Sequence, residues 1–541
     1  MIAIVQCHGL HRSVLALVLL AAISFFVGLG RPAIADTDEG FYAEAAREMV
    51  ESGDWLTPRF NYADRWQKPV LYYWTAAAAY LVTGPTEWSA RWFSALSGVG
   101  LAWLTWVAAL RLLRRQDAAF LAGAMVATCY GYFYMGRQSL PDLPLTFFIT
   151  AGIWGALDRR WLVAGLCAGL GFLTKGPVAL IVPGIVLLPI WWQQKTWPRI
   201  PDLAKAAVVA IAVGVPWYVA MWLQHGTPYL ESFFLADNLE RFATTRYNDP
   251  RFVLYYVPIV VGGLLPWAMF LLVLPWKRGI AVLKRREQLS SAEWQLLIWA
   301  LAPLVFYTLS VGKQPRYILP VLPPLAILLS QSIIKRIGGR SRGIATSSWL
   351  TAAMFAVIAA LLWRAQPLFI TAYPAVTIVA IAAVAACAAA IAFVAALRRW
   401  QLLPGTMIGA SLVALLAMQF GAFSGVRPEP AEQMAALVKA NHASEAVGEY
   451  QVFVRNLTFY TGVQQEEIFN ESQALSFLAR PERVLLVAKQ RDIERLEAIA
   501  GTKTTRLGEV RYLDQANIRL RTMLFPLPAQ DVDTVLLVSN R

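Results

Sequence analysis

The residues best placed to do chemistry lie in a loop, residues 36–69, that follows the first apolar stretch and precedes many others. This loop reads DTDEGFYAEAAREMVESGDWLTPRFNYADRWQKP and is acidic, aromatic and interrupted by prolines. Charged groups beside membrane-crossing segments must face water or a polar site, where carboxylates can accept a proton or stabilise positive charge. We interpret the loop as a catalytic face. Its carboxylates are Asp36, Asp38, Glu39, Glu44, Glu48, Glu51, Asp54 and Asp64.

Further loops add cations and tyrosines to these carboxylates. Lys and Arg form charge-assisted hydrogen bonds with phosphate, whereas Asp accepts hydrogen bonds or a proton. A constellation of both signs therefore suits a ligand that carries a phosphate and hydroxyl groups. The loops concerned are 36–91, 136–143, 174–176, 224–253, 312–316 and 364–370, together with the tail from 425.

The composition identifies the kind of protein that must position these residues. Of 541 residues, 57% are hydrophobic and 15% are charged, and apolar runs recur to about residue 424, which is typical of a polytopic helical membrane protein. The net charge of +14 belongs to residues 1–426, because residues 427–541 carry 14 Lys or Arg against 15 Asp or Glu. The excess is typical of membrane loops and does not indicate nucleic acid binding. The four cysteines and four histidines have no disulfide or metal-ligand spacing.

The orientation follows from six basic loops, which we assign to the cytoplasmic side because Lys and Arg in short loops are retained there. They lie at 111–115, 159–160, 195–205, 277–286, 335–342 and 398–399. This assignment predicts thirteen transmembrane helices, a cytoplasmic N-terminus and an outer C-terminal region. The spans lie near 14–34, 92–113, 118–135, 144–157, 161–173, 177–191, 206–223, 254–274, 294–310, 317–334, 347–363, 371–397 and 404–424.

Two apolar segments allow more than one interpretation. The first has the pattern of a cleaved signal peptide as an alternative to a span, because Pro32-Ala33-Ile34-Ala35 ends in an A-x-A-like site. We treat it as the first span, since it is long enough to cross a bilayer. Segment 70–83 is predicted to be an interfacial helix, with Trp74 and the tyrosines at headgroup depth, because counting it as a span would reverse the later loops.

Residues 1–426 thus form the predicted transmembrane domain, with the catalytic loop at 36–91, and residues 427–541 a separate α/β domain. Strand-like runs occur at 450–454, 484–487 and 534–538, and helix-like stretches at 431–440 and 490–499. The fold class is therefore mainly α, with a small C-terminal α/β domain.

A set of short motifs, in this order, resembles the bacterial aminoarabinose (4-amino-4-deoxy-L-arabinose) lipid A transferases. That family lies among the integral-membrane glycosyltransferases that use polyprenyl-phosphate sugars and include the protein O-mannosyltransferases. The motifs are Asp38-Glu39 with Tyr42-Ala43-Glu44, Gly53-Asp54-Trp55-Leu56-Thr57-Pro58, Lys68-Pro69, Leu140-Pro141-Asp142-Leu143-Pro144-Leu145-Thr146, Leu173-Thr174-Lys175-Gly176-Pro177, Asn238-Leu239-Glu240-Arg241-Phe242 and Arg316-Tyr317-Ile318-Leu319-Pro320.

The resemblance implies an inverting glycosyltransferase of the GT-C type at the periplasmic face of the bacterial inner membrane. It would have thirteen membrane helices, outer amphipathic helices and a periplasmic C-terminal domain. The implied donor is a sugar on undecaprenyl phosphate, best guessed as 4-amino-4-deoxy-L-arabinose, and the implied acceptor is a lipid A phosphate. We expect a monomer without cofactor or metal. Gln67 replaces the Glu that often precedes the Lys-Pro pair, which leaves the sugar preference open.

The resemblance and the residue chemistry together assign roles. Cations at the boundary of bilayer and water can stabilise a phosphate leaving group, and the candidates are Lys68, Arg241 and Arg316, with Lys313 as an addition. Asp38 is expected to act as a base or to stabilise positive charge on the sugar. The further catalytic candidates are Glu39 and Asp142, and the tyrosines expected to contact substrate are Tyr42, Tyr62 and Tyr72.

Structural roles compete with each of these assignments. Asp38 or Thr37 could cap a helix, Lys68 could extend to lipid headgroups, and Arg241 could pair with Glu240 or Asp237. Two other functions also stay open. A protein O-mannosyltransferase-like enzyme would use a polyprenyl-phosphate hexose, and a lipid or sugar transporter would explain the spans, although transporters usually show internal repeats.

Overall fold

The computed structural model describes residues 2–245, 251–284, 288–337, 341–369, 373–424, 426–514 and 518–541. Arg285, Arg286 and Arg340, which contribute to two of the predicted cytoplasmic loops, and residues 246–250 of the predicted outer loop 224–253 lie outside these ranges.

Residues 2–423 are almost entirely helical. The α-helices of this part are α1 (Ile2–Phe26), α2 (Asp38–Ser52), α3 (Leu71–Thr83), α4 (Glu87–Leu113), α5 (Gln116–Thr128), α6 (Tyr130–Met135), α7 (Asp142–Leu157), α8 (Trp161–Lys175), α9 (Val178–Gln194), α10 (Ile200–Gly214), α11 (Pro216–His225), α12 (Thr227–Leu230), α13 (Arg241–Ala243), α14 (Tyr256–Gly263), α15 (Trp276–Leu283), α16 (Ser291–Leu309), α17 (Leu322–Ile337), α18 (Arg342–Ala365), α19 (Pro374–Ala396) and α20 (Leu403–Met418). Segments Glu231–Glu240 and Gln419–Phe423 are π-helical, and Trp267–Val273 and Pro315–Val321 are 3₁₀-helical. A short hairpin pairs β1 (Arg59–Phe60) with β2 (Ala63–Asp64).

Six helical segments in the described part are long and apolar enough to cross a membrane, and two bent pairs raise that number to eight. Several further predicted spans fold as shorter apolar helices, among them α7, α8 and α9. The chain is therefore a multi-pass membrane protein, and the count of thirteen spans stays a prediction.

Three predicted spans differ from straight crossings. The span predicted at 254–274 consists of α14 and Trp267–Val273, which are bent by 109°, and the chain reverses there at Pro266, which has no backbone N–H to continue a helix. The span predicted at 206–223 bends by 42° between α10 and α11, which begins at Pro216. Helix α1 ends at Phe26, before Gly28 (φ 70°), so the predicted first span is shorter than 14–34.

Helix α3 covers the segment predicted to be interfacial. Its tyrosines are not spread along an exposed face, because Tyr72, Tyr73 and Tyr80 are buried against the neighbouring helices. The hydroxyl of Tyr72 donates to the carbonyl of Ala90 over 3.0 Å, and that of Tyr80 donates to the carbonyl of Ala43 over 3.2 Å. These internal acceptors make burial of the hydroxyls possible.

The C-terminal part contains a five-stranded mixed sheet in the order β4-β3-β5-β7-β6. Strand β3 pairs in parallel with β4 and β5, and β7 pairs antiparallel with β5 and β6. The elements are α21 (Pro430–Asn441), β3 (Ala446–Tyr450), α22 (Leu457–Thr461), β4 (Gln465–Ile468), α23 (Glu471–Leu478), β5 (Val484–Lys489), α24 (Gln490–Ala500), β6 (Thr505–Tyr512), α25 (Leu520–Leu524), α26 (Pro528–Asp531) and β7 (Asp533–Ser539).

The sequence prediction for this region is correct in class but misses elements. The first predicted strand, 450–454, is wrong in position, because β3 ends at Tyr450 and the next residues turn with positive φ at Gln451 and Phe453. Strands β4 and β6 were not predicted, since their exposed positions carry charges that weaken the apolar signal.

The sheet region is attached to the loop that carries Asp38. The side chain of Asn61 donates to the carbonyl of Gln465 over 2.6 Å and accepts from its N–H over 2.8 Å. The N–H of Arg455 donates to Asp36 over 2.8 Å, and the hydroxyl of Tyr460 accepts from the N–H of Ile34 over 2.7 Å. The C-terminal part therefore fixes the path of residues 34–61.

Candidate active site

A cavity of about 400 Å³ lies where the motif-bearing loops meet the ends of α7, α8 and α16. Its lining combines charged side chains with apolar and aromatic ones. Its lining residues are Lys68, Asp142, Leu145, Thr146, Lys175, Pro177, Val178, Ile181, Phe234, Asp237, Asn238, Leu239, Arg241, Phe242, Phe306, Tyr307, Ser310, Gly312, Arg316, Tyr317 and Pro320. We call this space the donor cavity.

Arg316 pairs with two carboxylates at this site. Its guanidinium forms an ion pair with Asp38, and its Nε lies 3.3 Å from Oδ2 of Asp142. Asp142 begins α7 and is buried, and its other carboxylate oxygen pairs with Lys175 at the end of α8. The two sides of the site, the loop after α1 and the segment after α16, thus meet through one arginine.

Arg241 and Lys68 are two further cations that line the donor cavity. Arg241 follows the π-helical segment and donates to Asp237 over 2.9 Å. The ammonium of Lys68 is half-buried and donates to the carbonyl of Gln67 over 2.7 Å. Burial lowers the pKa of Lys68 to about 7, and the positive charges of Arg241, Lys175 and Arg65 contribute to this shift while Asp237 opposes it.

The charges that line the donor cavity do not cancel. Four cations, Lys68, Lys175, Arg241 and Arg316, face two carboxylates, Asp142 and Asp237, so the lining has a formal charge of 4 − 2 = +2. Asp38, which pairs with Arg316 from outside the lining, reduces this to +1. The site is therefore suited to an anion in surroundings of reduced dielectric.

The donor cavity is also lined by apolar and aromatic side chains. The rings of Phe242 and Phe306 stack with centroids 5.0 Å apart, and Val178 and Ile181 of α9 lie on the same lining. The ammonium of Lys175 lies 4.7 Å from the centre of the Tyr317 ring, a cation–π contact. A lining that combines cations with apolar side chains matches an amphiphile with an anionic head group.

Asp38 is free to act at this site because another residue caps its helix. Thr37 is the N-cap of α2 and accepts from the N–H of Glu39 over 3.3 Å. The side chain of Asp38 is 41% exposed. Burial would raise the pKa of Asp38, but the charge and hydrogen bond of Arg316 outweigh it and hold that pKa below its usual value. Asp38 is therefore ionised at neutral pH.

Glu39 does not line the donor cavity, although it follows Asp38 in sequence. Its carboxylate is fully buried and accepts two bonds from Arg91, over 2.7 and 3.0 Å. It also accepts from the N–H of Ala35 over 2.9 Å and from the N–H of Ser139 over 2.8 Å. With four donors around it, Glu39 holds the loop after α1 against α4, and its predicted catalytic role stays a prediction.

The remaining predicted residues also lie off the cavity lining. Lys313 is buried and donates to the carbonyl of Ser310. Tyr42 is buried and stacks on Tyr73 with centroids 5.4 Å apart, and Tyr72 is buried in the same aromatic group. The hydroxyl of Tyr62 donates to the carbonyl of Gly462 over 2.8 Å, at the junction with the sheet region. Their roles toward a substrate stay predictions.

Comparison with known proteins identifies the fold. Residues 16–225 match the model of the family described as dolichyl-phosphate-mannose-protein mannosyltransferase. The crystal structure of ArnT from Cupriavidus metallidurans bound to undecaprenyl phosphate superposes with a TM-score of 0.73, at 22% identity and over 98% of both chains. The chain has the fold of ArnT. The apo form of the Archaeoglobus fulgidus oligosaccharyltransferase, at a TM-score of 0.56 and 12% identity, covers 93% of this chain and 73% of its own.

Several curated proteins that are similar to this chain are named as arabinosyl transferases. The undecaprenyl phosphate-alpha-4-amino-4-deoxy-L-arabinose arabinosyl transferase of Aeromonas salmonicida is 32% identical over 349 residues, which is 62% of each chain. The enzyme of that name from Edwardsiella ictaluri is 30% identical over 374 residues, 66% of each chain. The chain thus spans slightly less than two thirds of the length of these relatives. The resemblance and the GT-C type fold drawn from the sequence motifs are confirmed.

Sequence reasoning underrated two residues of the donor cavity, Lys175 and Asp237. Both stand in or beside the motifs quoted above, but Lys175 was equally compatible with a helix end and Asp237 with a surface ion pair. Lys175 meets Asp142 of another helix, a contact that depends on the fold, whereas the spacing of four residues between Asp237 and Arg241 is a signal that the sequence contains. Within the described ranges, no three His, Cys, Asp or Glu side chains come together to hold a metal ion, and metal independence stays a prediction.

Proposed function

We propose that the protein is an inverting glycosyltransferase that moves 4-amino-4-deoxy-L-arabinose from undecaprenyl phosphate to a phosphate of lipid A. The reaction would take place at the periplasmic face of the inner membrane, with the N-terminus in the cytoplasm, and the enzyme would act as a monomer. The observation that carries the proposal is the donor cavity, whose lining combines four cations with apolar and aromatic side chains.

The charge of the donor cavity suits the leaving group. A polyprenyl-phosphate sugar carries one negative charge, and the polyprenyl phosphate that leaves carries nearly two. Fixed cations are worth more to the second species than to the first, so they lower the barrier to cleavage and do not merely bind substrate. Arg241 and Arg316 can each grip a phosphate with two N–H groups, whereas Lys68 and Lys175 act as point charges.

Asp38 supplies the opposite charge. Held by Arg316 and ionised, it is placed to stabilise the positive charge that develops on the anomeric carbon as the bond to phosphate breaks. A lipid A phosphate is already an anion and needs no base. Asp38 therefore orients and stabilises in this reaction, and the formation of the new bond on the face opposite the departing phosphate inverts the configuration.

A second candidate is a protein O-mannosyltransferase-like reaction with a polyprenyl-phosphate hexose. It is supported by the match of residues 16–225 to the dolichyl-phosphate-mannose-protein mannosyltransferase family. Its acceptor would be a Ser or Thr hydroxyl, which must lose a proton, so Asp38 would then serve as a general base.

Mass spectrometry of lipid A separates these reactions. The gene is expressed in a host that makes the donor but lacks its own transferase, as wild type, as Asp38→Ala and as Asp54→Ala, a carboxylate of the same loop outside the cavity lining. We expect wild type and Asp54→Ala to add the mass of one amino-pentose to a lipid A phosphate, and Asp38→Ala to lose the addition. Unmodified lipid A together with hexosylated periplasmic proteins would favour the second candidate.

A further inference from the structure

A second cavity, of about 450 Å³, lies apart from the donor cavity, between the helices and the C-terminal sheet region. Its walls are loop 32–37, helix α6, the C-terminal ends of α18 and α20, and the start of α21. Neither the motifs nor the proposed donor site accounts for this space.

The cavity is lined by an arginine without a counter-ion. Arg137 is 3% exposed, and its guanidinium donates to the carbonyls of Ser24, Phe25 and Val27 over 2.9, 3.3 and 2.6 Å. Among the described residues no carboxylate pairs with it, and its Nε has no hydrogen-bond partner. Burial, with a contribution from Arg91, lowers the pKa of Arg137 to about 10, so the group remains cationic at neutral pH.

Burial of the Arg137 charge in this arrangement costs free energy unless an anion approaches. Carbonyl groups satisfy N–H donors but do not neutralise a buried charge, whose desolvation is expensive without a partner of opposite sign. The adjacent Arg91 shows the usual solution, since Glu39 neutralises it within the protein. Arg137 donates to three carbonyls but has no internal carboxylate among the described residues, and its Nε–H is left for an external acceptor.

Two acceptors without donors line the same cavity. Glu429 and Asn456 are both more than nine-tenths buried, and Oε1 of Glu429 and Oδ1 of Asn456 lack partners within the described ranges. Buried polar atoms of this kind are uncommon in folded proteins and point to a missing group that bonds to them. A head group with hydroxyl or ammonium donors would satisfy both.

The remaining walls are apolar. Leu362 and Leu368 belong to the end of α18 and its continuation, Leu415 and Met418 to the end of α20, and Met523 to α25. Tyr130 and Tyr134 of α6 stack with ring centroids 5.9 Å apart and are both more than 40% exposed. The lining also carries three carboxylates, Asp36, Glu429 and Asp514, so Arg137 and these apolar walls together match a lipid whose head group combines a phosphate with hydrogen-bond donors.

We propose that this cavity binds a phosphate-bearing amphiphile of the bilayer, with its phosphate at Arg137, its hydrogen-bond donors at Glu429 and Asn456 and its acyl chains against α18 and α20. Either a phospholipid or the phosphorylated acceptor glycolipid has this chemistry. The second source would place the acceptor near the reacting groups, because Asp36 and Thr37, which precede Asp38 in the chain, line this cavity. The site itself does not depend on the proposed transfer reaction.

Lipid binding to the full-length protein tests the site. The protein is delipidated in detergent, its donor cavity is filled with undecaprenyl phosphate, and native mass spectrometry then counts bound lipid during titration with phosphatidylglycerol, lipid A or phosphatidylcholine. We expect phosphatidylglycerol or lipid A to bind about tenfold more tightly than phosphatidylcholine, because all three carry a phosphate for Arg137 but choline has no N–H or O–H donor for Glu429 and Asn456. The tighter of phosphatidylglycerol and lipid A identifies the source.

Matched variants locate the binding. Met418→Trp fills the cavity and should remove the preference for anionic lipid, whereas Val413→Trp, on the exposed side of the same helix, should keep it. Arg137→Lys retains the charge without the planar fork and should bind with intermediate affinity. Undecaprenyl phosphate binding, measured separately, should be the same in all three, which distinguishes failure here from failure of the donor site. Equal affinity for phosphatidylcholine and both anionic lipids, or equal losses in both Trp variants, would overturn the proposal.

Discussion

Two charge clusters begin at adjacent residues and differ in every property that matters for function. Glu39 and Arg91 form a cluster that is fully buried, neutral and saturated with hydrogen bonds. Asp38 and Arg316 form an ion pair that is partly exposed and borders the donor cavity, where four cations face three carboxylates once Asp38 is counted. In the first cluster every carboxylate acceptor is occupied by a donor of the protein. Around the second, one formal positive charge is left for a ligand.

The comparison teaches that a motif of two consecutive acids need not be a pair of catalytic acids. Successive residues at the start of a helix project about 100° apart, so one can face the protein interior while the other faces a cavity. If the two clusters act separately, substitutions in the first should change stability and substitutions in the second should change activity.

The largest effect, a loss of stability, is expected for Glu39→Gln. The change leaves Arg91 charged and buried without a counter-ion, which costs about 3–5 kcal/mol of stability. We expect loss of the folded protein, measured as the monodisperse fraction in size-exclusion chromatography and the midpoint of thermal unfolding in detergent. Glu51→Gln removes an exposed member of an ion pair and is the control. Normal unfolding of Glu39→Gln with loss of transfer alone would show that Glu39 belongs to the reactive cluster.

Asp38→Asn should reduce activity and leave stability close to that of the wild type. Removing a charge that stabilises the reacting sugar or accepts a proton reduces kcat by about 100- to 10,000-fold, while thermal unfolding stays close to wild type because the side chain is partly exposed. The measurement is transfer from a synthetic undecaprenyl-phosphate sugar by the purified protein. Asp54→Asn serves as the matched control. Retained activity in Asp38→Asn would remove Asp38 from the mechanism.

Arg316→Lys tests the link between Asp38 and Asp142. Lysine keeps the charge but cannot contact both carboxylates and a phosphate, and loss of a charge-assisted hydrogen bond costs about 1.5–3 kcal/mol. We therefore expect kcat/KM to fall about 10- to 100-fold. Arg364→Lys, at the end of α18 and away from the donor cavity, should have no such effect. Equal activity in the two variants would mean that charge alone suffices at position 316.

Lys68 should make donor binding depend on pH. Its pKa is lowered to about 7, so the ammonium is present below that pH and is lost as the pH rises through it. Affinity for undecaprenyl phosphate should then weaken by up to about tenfold between pH 6 and pH 8.5, the loss of one charge-assisted contact. Lys68→Gln should bind undecaprenyl phosphate weakly, and its affinity should not show this slope with pH. A slope that persists in Lys68→Gln would have to come from another group.

The smallest expected effect is a pH dependence of stability that comes from Glu48, near the junction with the sheet region. Burial and the adjacent charge of Glu44 raise the pKa of Glu48 to about 8. Folded protein then holds a proton that unfolded chain releases near pH 4.5, so this contribution to stability is present at low pH and is lost as the pH rises toward 8. Thermal unfolding from pH 5 to pH 8 should show the decline in wild type and a flatter profile in Glu48→Gln. A decline of equal size in both proteins would contradict the assignment.

Particular residues show how far sequence reasoning reaches. Lys68, Asp142, Arg241 and Arg316 were all predicted, because a cation or acid between apolar segments has few places to go, and all four line one cavity. Tyr72 and Tyr62 were expected beside the substrate on residue type alone. The first is enclosed by α3 and α4 and the second faces Gly462, since packing against a neighbour decides where an aromatic ring lies.

The sequence by itself determined the class of the protein, most of its helices and the signs of charge at the site, because apolar length, loop charge and motif order are local properties of the chain. Only the tertiary structure decided which carboxylate borders the donor cavity and which is buried in an ion pair, and where the break at Pro266 redirects the chain. It also brought Arg137, Glu429 and Asn456 to one cavity. These depend on contacts between residues that are distant in sequence, 52 positions apart for Glu39 and Arg91 and 278 for Asp38 and Arg316, and no local pattern encodes the partner that a buried charge will find.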